Sequence, residues 1–220
     1  MGAMAALWHR ASTGEGQHVD ASLVDALLYA SDMGVMAAAN ASHVLRPQGA
    51  GAEGAAPLNS YPTRDGRHVF IHGVFDKAWA GLCAAMQRAD LLTDPRTQSV
   101  AARGGNRPFV DAVVAAYAAL HTVEDIVAQA EQHGFVAAPV LDFEAVTREP
   151  HFRARGSVTE VKHPLHGALT LQGVGPKFSR TPVGVRTAAA TLGQHNAEVY
   201  GGLLGLDAAA LRELAADGII

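Results

Sequence analysis

The stretch ASTGEGQHVDASLVDALLYA, residues 11–30, runs a turn with two glycines straight into a capped helix. Gly14 and Gly16 punctuate the turn, and HVDA, residues 18–21, reads as a short strand leading out of it. Ser22 and Asp25 have capping-box spacing, with Ser22 placed to accept the third backbone N–H of the helix that follows. Leu23, Ala26, Leu27, Ala30, Met33 and Gly34 then recur at helical intervals and form one apolar face. Such a face demands a covering surface. Residues 2–9, however, read only as the last turns of another helix, so the sequence opens as though in the middle of an architecture.

The 220 residues are 49% hydrophobic and 17% charged, enough to bury roughly 70% of the unfolded surface in one large core or two small ones. Net charge is −4, and the 17 Lys and Arg form no run, which argues against a nucleic-acid partner. Cys83 is the only cysteine and lies in the apolar run AWAGLCAAM, so neither a disulfide framework nor a thiolate cluster can be built; a reducing, cytoplasmic setting is expected. MGAMAALWHR lacks the pattern of a secretory leader and no segment reaches spanning length, so no membrane association is expected.

Residues 46–62, RPQGAGAEGAAPLNSYP, carry glycines and prolines without a period and read as a long irregular loop. GRHVFIHG is a strand. DKAWAGLCAAMQ is a helix with a buried stripe of Phe75, Trp79, Leu82, Cys83 and Met86. A further helix opens at Asn106 with Pro108 in its first turn, and another runs from the cap pair Thr122 and Asp125 to a stop at Gly134. Residues 156–185 alternate and turn like antiparallel strands, and two short helices parted by Gly205 and Asp207 close the sequence. Elements alone give a mixed α/β or α+β protein.

GAGAEG, residues 49–54, satisfies the spacing of a dinucleotide-binding turn, but a helical run precedes it and Pro57 follows where a phosphate-binding helix should open. A flexible glycine-rich loop is the alternative. His68 and His72 share one strand face without a third ligand at metal-binding spacing, and no metal is expected. Asp76 stands at the start of a helix, where the helix dipole favours its ionised form. It is either a simple cap or a functional carboxylate.

STGEGQHVDASLVDALL resembles the segment T-G-x-G-Q-x-V-x-x-S-L-x-D-A of the family III CoA-transferases, the formyl-CoA transferase and α-methylacyl-CoA racemase group; Thr13, Gly14, Gly16, Gln17, Val19, Ser22, Leu23, Asp25 and Ala26 all match. The likeness continues through YPTRDGRHVFI, DPRTQSVAARGGN, APVLDFEAVTREPHFRARG, HPLHG, FSRTP and LGQHNAEVYGGLLGL, nearly the whole sequence. It implies an α/β family fold of which this chain is an α+β C-terminal portion. The Rossmann-like N-terminal half, which carries the nucleophilic aspartate, is expected to lie upstream of Met1. The implied domains are a helical end of a large domain at 1–45, a glycine-rich loop at 46–55, a small α+β domain at 56–150, and a segment returning to the large domain at 151–220.

The implied activity is CoA transfer between an acyl-CoA and a carboxylic acid through an aspartyl-CoA intermediate, with α-proton racemisation or a non-catalytic partner subunit as alternatives. The CoA thioester is substrate, and no tightly bound cofactor is implied. Partners would be a second copy in an interlocked dimer, or a chain supplying the other half. By the same resemblance, Gly49, Gly51 and Gly54 fall in a mobile loop that covers the substrate, although Ala50, Ala52 and Glu53 interrupt it. Asp76, in GVFDK, falls where the racemases place a glutamate of the catalytic environment and the transferases commonly an aspartate.

Overall fold

Three short antiparallel strands, β1 (Leu58–Pro62), β2 (His68–His72) and β3 (Val136–Pro139), form one sheet in the order β1-β2-β3 in the computed structural model, which describes residues 1–31 and 33–220. Leu58 pairs with His72 and Pro62 with His68 on one side of β2, and Val69 pairs with Pro139 on the other. Strand alternation turns Val69 and Ile71 into the core and leaves His68, Phe70 and His72 on the opposite, more exposed face.

Helices α4 (Asp76–Ala85), α6 (Arg107–Ala118) and α7 (Val123–His133) cover the inner face. They bury Trp79, Leu82 and Cys83 from α4, Val110 and Val114 from α6, and Ile126 from α7. The local signals for these helices hold. Thr122 and Asp125 form a complete, reciprocal capping box, and Gly134 ends α7 in the left-handed conformation. A 3-10 turn (Ala89–Leu92) and a short helix, α5 (Val100–Gly105), bridge α4 to α6. Every buried hydrophobic side chain among the described residues lies between Ala56 and Phe135.

The preceding helices are α1 (Gly2–Thr13), α2 (Leu23–Ala30) and α3 (Met33–Ala41). Ser22 caps α2 through its hydroxyl, which accepts from Val24 and Asp25 N–H. None of the three helices contains a buried residue; Leu23 is 90% exposed and Leu27 72%.

Contacts divide the chain into residues 1–140 and 141–220. The second unit has α8 (Phe143–Arg148), capped by Asp142, and α9 (Pro150–Ala154). A hairpin of β4 (Val158–His163) and β5 (Gly167–Gln172) follows, then a π-helical stretch (Ala197–Leu203) and α10 (Ala208–Ala216). The hairpin is closed by His163, whose Nδ1 accepts from the N–H groups of Leu165 and His166.

Four expectations are corrected. HVDA is not a strand, because no described segment lies alongside it to complete a ladder. The loop expected over 46–62 ends early, at β1, whose one proline and polar residues are tolerated because it is an outer strand. Phe75, expected in the buried stripe, is 66% exposed: it is the N-cap residue of α4, in extended backbone that turns its ring away from the helix's inner face. Strand structure expected over 156–185 stops at Gln172, where Gly173, Gly175 and Pro176 break the pattern.

Candidate functional site

Asp76 is the first residue of α4, but it does not cap the helix: Phe75 holds the N-cap position and makes no side-chain cap bond. The Asp76 carboxylate instead accepts a hydrogen bond from Arg103 Nη2 at 2.7 Å. The two ends of this ion pair differ sharply, the Asp76 side chain being 75% exposed and that of Arg103 1%. Arg103 is further fixed by donating from Nη1 to the Thr97 carbonyl (2.8 Å) and from Nη2 to the Val74 carbonyl (2.7 Å). Its guanidinium carbon lies 5.4 Å from the centre of the Trp79 ring.

A buried guanidinium thus presents its charge to a carboxylate standing in water at the positive end of a helix. Lys77, the next residue along, makes no ion pair with Asp76 among the described residues. Both Arg103 Nε and Trp79 Nε1 are buried without a hydrogen-bond partner among those residues.

The glycine-rich loop meets the same stretch of chain. Gly104 passes directly beneath it: a Cβ there would sit 2.2 Å from the Gly54 carbonyl oxygen, so only glycine permits the approach. Arg107, one turn on, donates from Nη1 to Gln48 Oε1 (2.8 Å) and from Nη2 to the Gln48 carbonyl (3.0 Å). Gly51 lies flat against the same guanidinium, where a Cβ would come within 2.0 Å of Nη2. Gly49, at φ +68°, has open space where a side chain would be. In the middle of the loop, Glu53 lies 3.2 Å from His43 Nε2.

Arg107 is itself oriented from below. Its Nε donates to Asp111 Oδ2 at 3.1 Å, while Asp111 also accepts from Tyr61 Oη (2.6 Å) and Asn59 Nδ2 (3.2 Å). Burial, then the hydrogen bond to Asp111, drives the Tyr61 phenol far above its ordinary range, so it remains a proton donor throughout the physiological range. The two predicted pieces of the site, Asp76 and the loop, are therefore joined through one segment, Arg103-Gly104-Gly105-Asn106-Arg107.

Sequence reading missed both arginines. Arg103 carries no local signal, because Asp76 and Val74 lie 27 and 29 residues away and its nearer partner, Thr97, offers only a main-chain carbonyl. Arg107 could have been found, since Arg107 and Asp111 have the i,i+4 spacing of a helical ion pair.

Other candidates find less support. Among the described residues no strand precedes and no helix directly follows the GAGAEG turn, which removes the context of a dinucleotide site. The Cys83 thiol is buried and pushed by desolvation up to about 12, so it is no nucleophile at neutral pH. Among the described residues no three His, Cys, Asp or Glu side chains converge as metal ligands, His68 and His72 included. No described helix is long and apolar enough to cross a membrane.

The sequence profile of CoA-transferase family III matches residues 1–196, and the chain belongs to that family. It is 32% identical to succinyl-CoA–D-citramalate CoA-transferase of Chloroflexus aurantiacus, over 100% of this chain and 55% of the relative. Identity to the succinyl-CoA–L-malate CoA-transferase beta subunit of the same organism is 29%, over 94% of this chain and 51% of the relative. For the formyl-CoA:oxalate CoA-transferase of Escherichia coli O157:H7 the figures are 27%, 90% and 53%. The chain therefore spans about half the length of the curated relatives it matches. The fold is shared with a CaiB/BaiF family protein from Brucella suis, at a TM-score of 0.76 and 23% identity, covering 91% of this chain and 51% of that one.

Proposed function

We propose that the protein transfers CoA between a small acyl-CoA, of the succinyl-CoA kind, and a carboxylic acid. The observation that carries this reading is the family match across residues 1–196, backed by relatives whose names describe such transfers. In the proposed reaction an aspartate outside these 220 residues attacks the thioester carbonyl, giving a mixed anhydride and releasing CoA thiolate. The thiolate attacks the aspartyl carbonyl of the anhydride, freeing the donor acid and leaving an aspartyl-CoA thioester. The acceptor carboxylate attacks that thioester and expels the thiolate, which then takes the acceptor acyl group from the second anhydride and regenerates the aspartate.

This chain contributes Asp76, held by Arg103 at the edge of the site, and the loop carrying Gly49, Gly51 and Gly54, which covers the acyl-CoA. Asp76 acts as a fixed negative charge and hydrogen-bond acceptor beside the reacting groups. The exposed apolar faces of α1 to α3 pack on the half of the protein that bears the nucleophile, within one polypeptide, in an interlocked dimer, or in a partner subunit. The relative named as a beta subunit favours keeping the last of these in view. The setting is the cytoplasm, where CoA thioesters are drawn on.

The test is CoA exchange from succinyl-CoA to a panel of small carboxylic acids. The 220 residues alone should give no turnover, and the protein completed by its other half should give turnover that falls about a hundredfold in Asp76→Asn. Turnover by the 220 residues alone would show that the nucleophile is misplaced, and full activity in Asp76→Asn would remove Asp76 from the site.

A further inference from the structure

The three loop glycines do not all face a ligand. Gly51 is pressed on the Arg107 guanidinium, and Gly54 turns its carbonyl onto Gly104, while the side-chain positions of Gly49 and Gly54 border open space. The loop is therefore seated on the small domain through two inward contacts, and one side chain supplies most of the seat. Arg107 grips Gln48 at both its side-chain and main-chain oxygens, and its own direction is set by Asp111, whose oxygens also accept from Tyr61 and Asn59. Arg107 and Asp111 are 15% and 21% exposed, which shields the pair from the solvent screening that weakens surface ion pairs.

We infer that Arg107 is a positioning residue that fixes the glycine-rich loop and, through it, holds bound acyl-CoA. The second clause rests on the function proposed above; the first stands on the contacts alone. A planar guanidinium suits this task. It offers donors in a fixed fork, so one residue can bind Asp111 on one edge and two Gln48 oxygens on the other while its flat face receives Gly51. A lysine would keep the charge and lose the fork.

Two variants test the inference by different routes. Arg107→Gln removes the fork. Gly51→Ala leaves Arg107 in the sequence but places a methyl group where Nη2 now lies, pushing the guanidinium off its partners. The first readout is cleavage after Glu53 by a glutamyl endopeptidase in the 220-residue chain, with cleavage after Glu144 as internal reference. Both variants should speed cutting after Glu53 about tenfold, since proteolysis follows the population of released loop. The second is steady-state kinetics with succinyl-CoA in the completed protein, where KM should rise about fivefold or more with kcat little changed, the signature of lost ground-state and transition-state binding alike.

Unchanged cleavage after Glu53 in Gly51→Ala overturns the inference even if Arg107→Gln fails to fold. Faster cleavage with unchanged KM overturns the role in holding acyl-CoA. If the unsubstituted completed protein transfers no CoA, the proposed function fails instead, and the anchoring of the loop is decided by the cleavage rates alone.

Discussion

Residues 56–139 and residues 2–41 are both rich in large apolar side chains, yet they use them in opposite ways. In the first region Trp79, Leu82, Ile71 and Ile126 are essentially inaccessible, and the sheet and three helices close around them. In the second, Trp8, Leu23, Leu27, Tyr29 and Met36 are more than half exposed. Amphipathic patterning is present in α2 as it is in α6, so the pattern specifies which face is to be buried and is silent on what buries it. The teaching is that residues 56–139 carry their own core, whereas the stability of α1 to α3 is tied to whatever surface covers them.

The most direct way to break that contrast is by paired truncation. Trp79→Ala should destabilise the fold of residues 56–139 by about 4 kcal/mol, as full removal of a buried aromatic does. Leu27→Ala should change the unfolding free energy of the same 220 residues, read from urea denaturation, by no more than about 0.5 kcal/mol. A hydrophobic dye should bind the unsubstituted chain and bind several-fold less to Leu23→Glu combined with Leu27→Glu. Equal costs for Trp79→Ala and Leu27→Ala, or no dye binding, would mean that residues 2–41 are covered after all.

A second pair sharpens the contrast within a single ion pair. Arg103→Ala strips partners from the Val74 and Thr97 carbonyls and leaves a void beside Trp79, at a cost of about 3 kcal/mol. Asp76→Ala, acting on the exposed end, should cost about 1 kcal/mol or less, because water screens and replaces that contact. Chemical denaturation of both variants gives the answer; a larger loss for Asp76 than for Arg103 would reverse the roles assigned to the two ends.

The smallest effect concerns the hairpin turn between β1 and β2. There Arg67 binds both Asp65 and Glu124, and Asp65 drops from its ordinary 3.8 to about 2, held down first by the Thr63 hydroxyl and then by Arg67. Glu124 is lowered as well, chiefly by Arg67. Since both folded-state values lie below the unfolded ones, the contribution is complete above the ordinary carboxylate range and fades as pH falls towards 2. The melting temperature of Asp65→Asn should therefore differ from that of the parent at pH 6 and converge on it near pH 2. A difference that persists unchanged to pH 2 would assign the effect to shape rather than charge.

Where local chemistry suffices, the sequence was readable. The Thr122 and Asp125 capping box, the Gly134 stop, the Ser22 cap and the β4–β5 hairpin all depend on residues within a few positions of one another. Where partners are remote it was not. Leu58–Pro62 looked like a loop because its proline and polar residues are loop residues too, and only the position at the sheet margin makes them compatible with a strand. Asp76 and the glycines were legible as candidates through family resemblance. The arginines that hold them were hidden, because a buried Arg and a solvated one are written with the same letter, and Arg103 is held by the main-chain carbonyls of Val74 and Thr97, both in connecting segments.

The two outer strands of the sheet, β1 and β3, are only 5 and 4 residues long, and each ends in a proline, Pro62 and Pro139. Proline has no N–H to offer a newcomer, and so short a margin gives an added strand little to pair with. Edge-to-edge growth of the kind that builds fibrils is therefore blunted at both margins of this sheet. If the chain clumps at high concentration, the deposits should retain a helical infrared signature and show no cross-β spacing, with α1 to α3 as the adhesive surface.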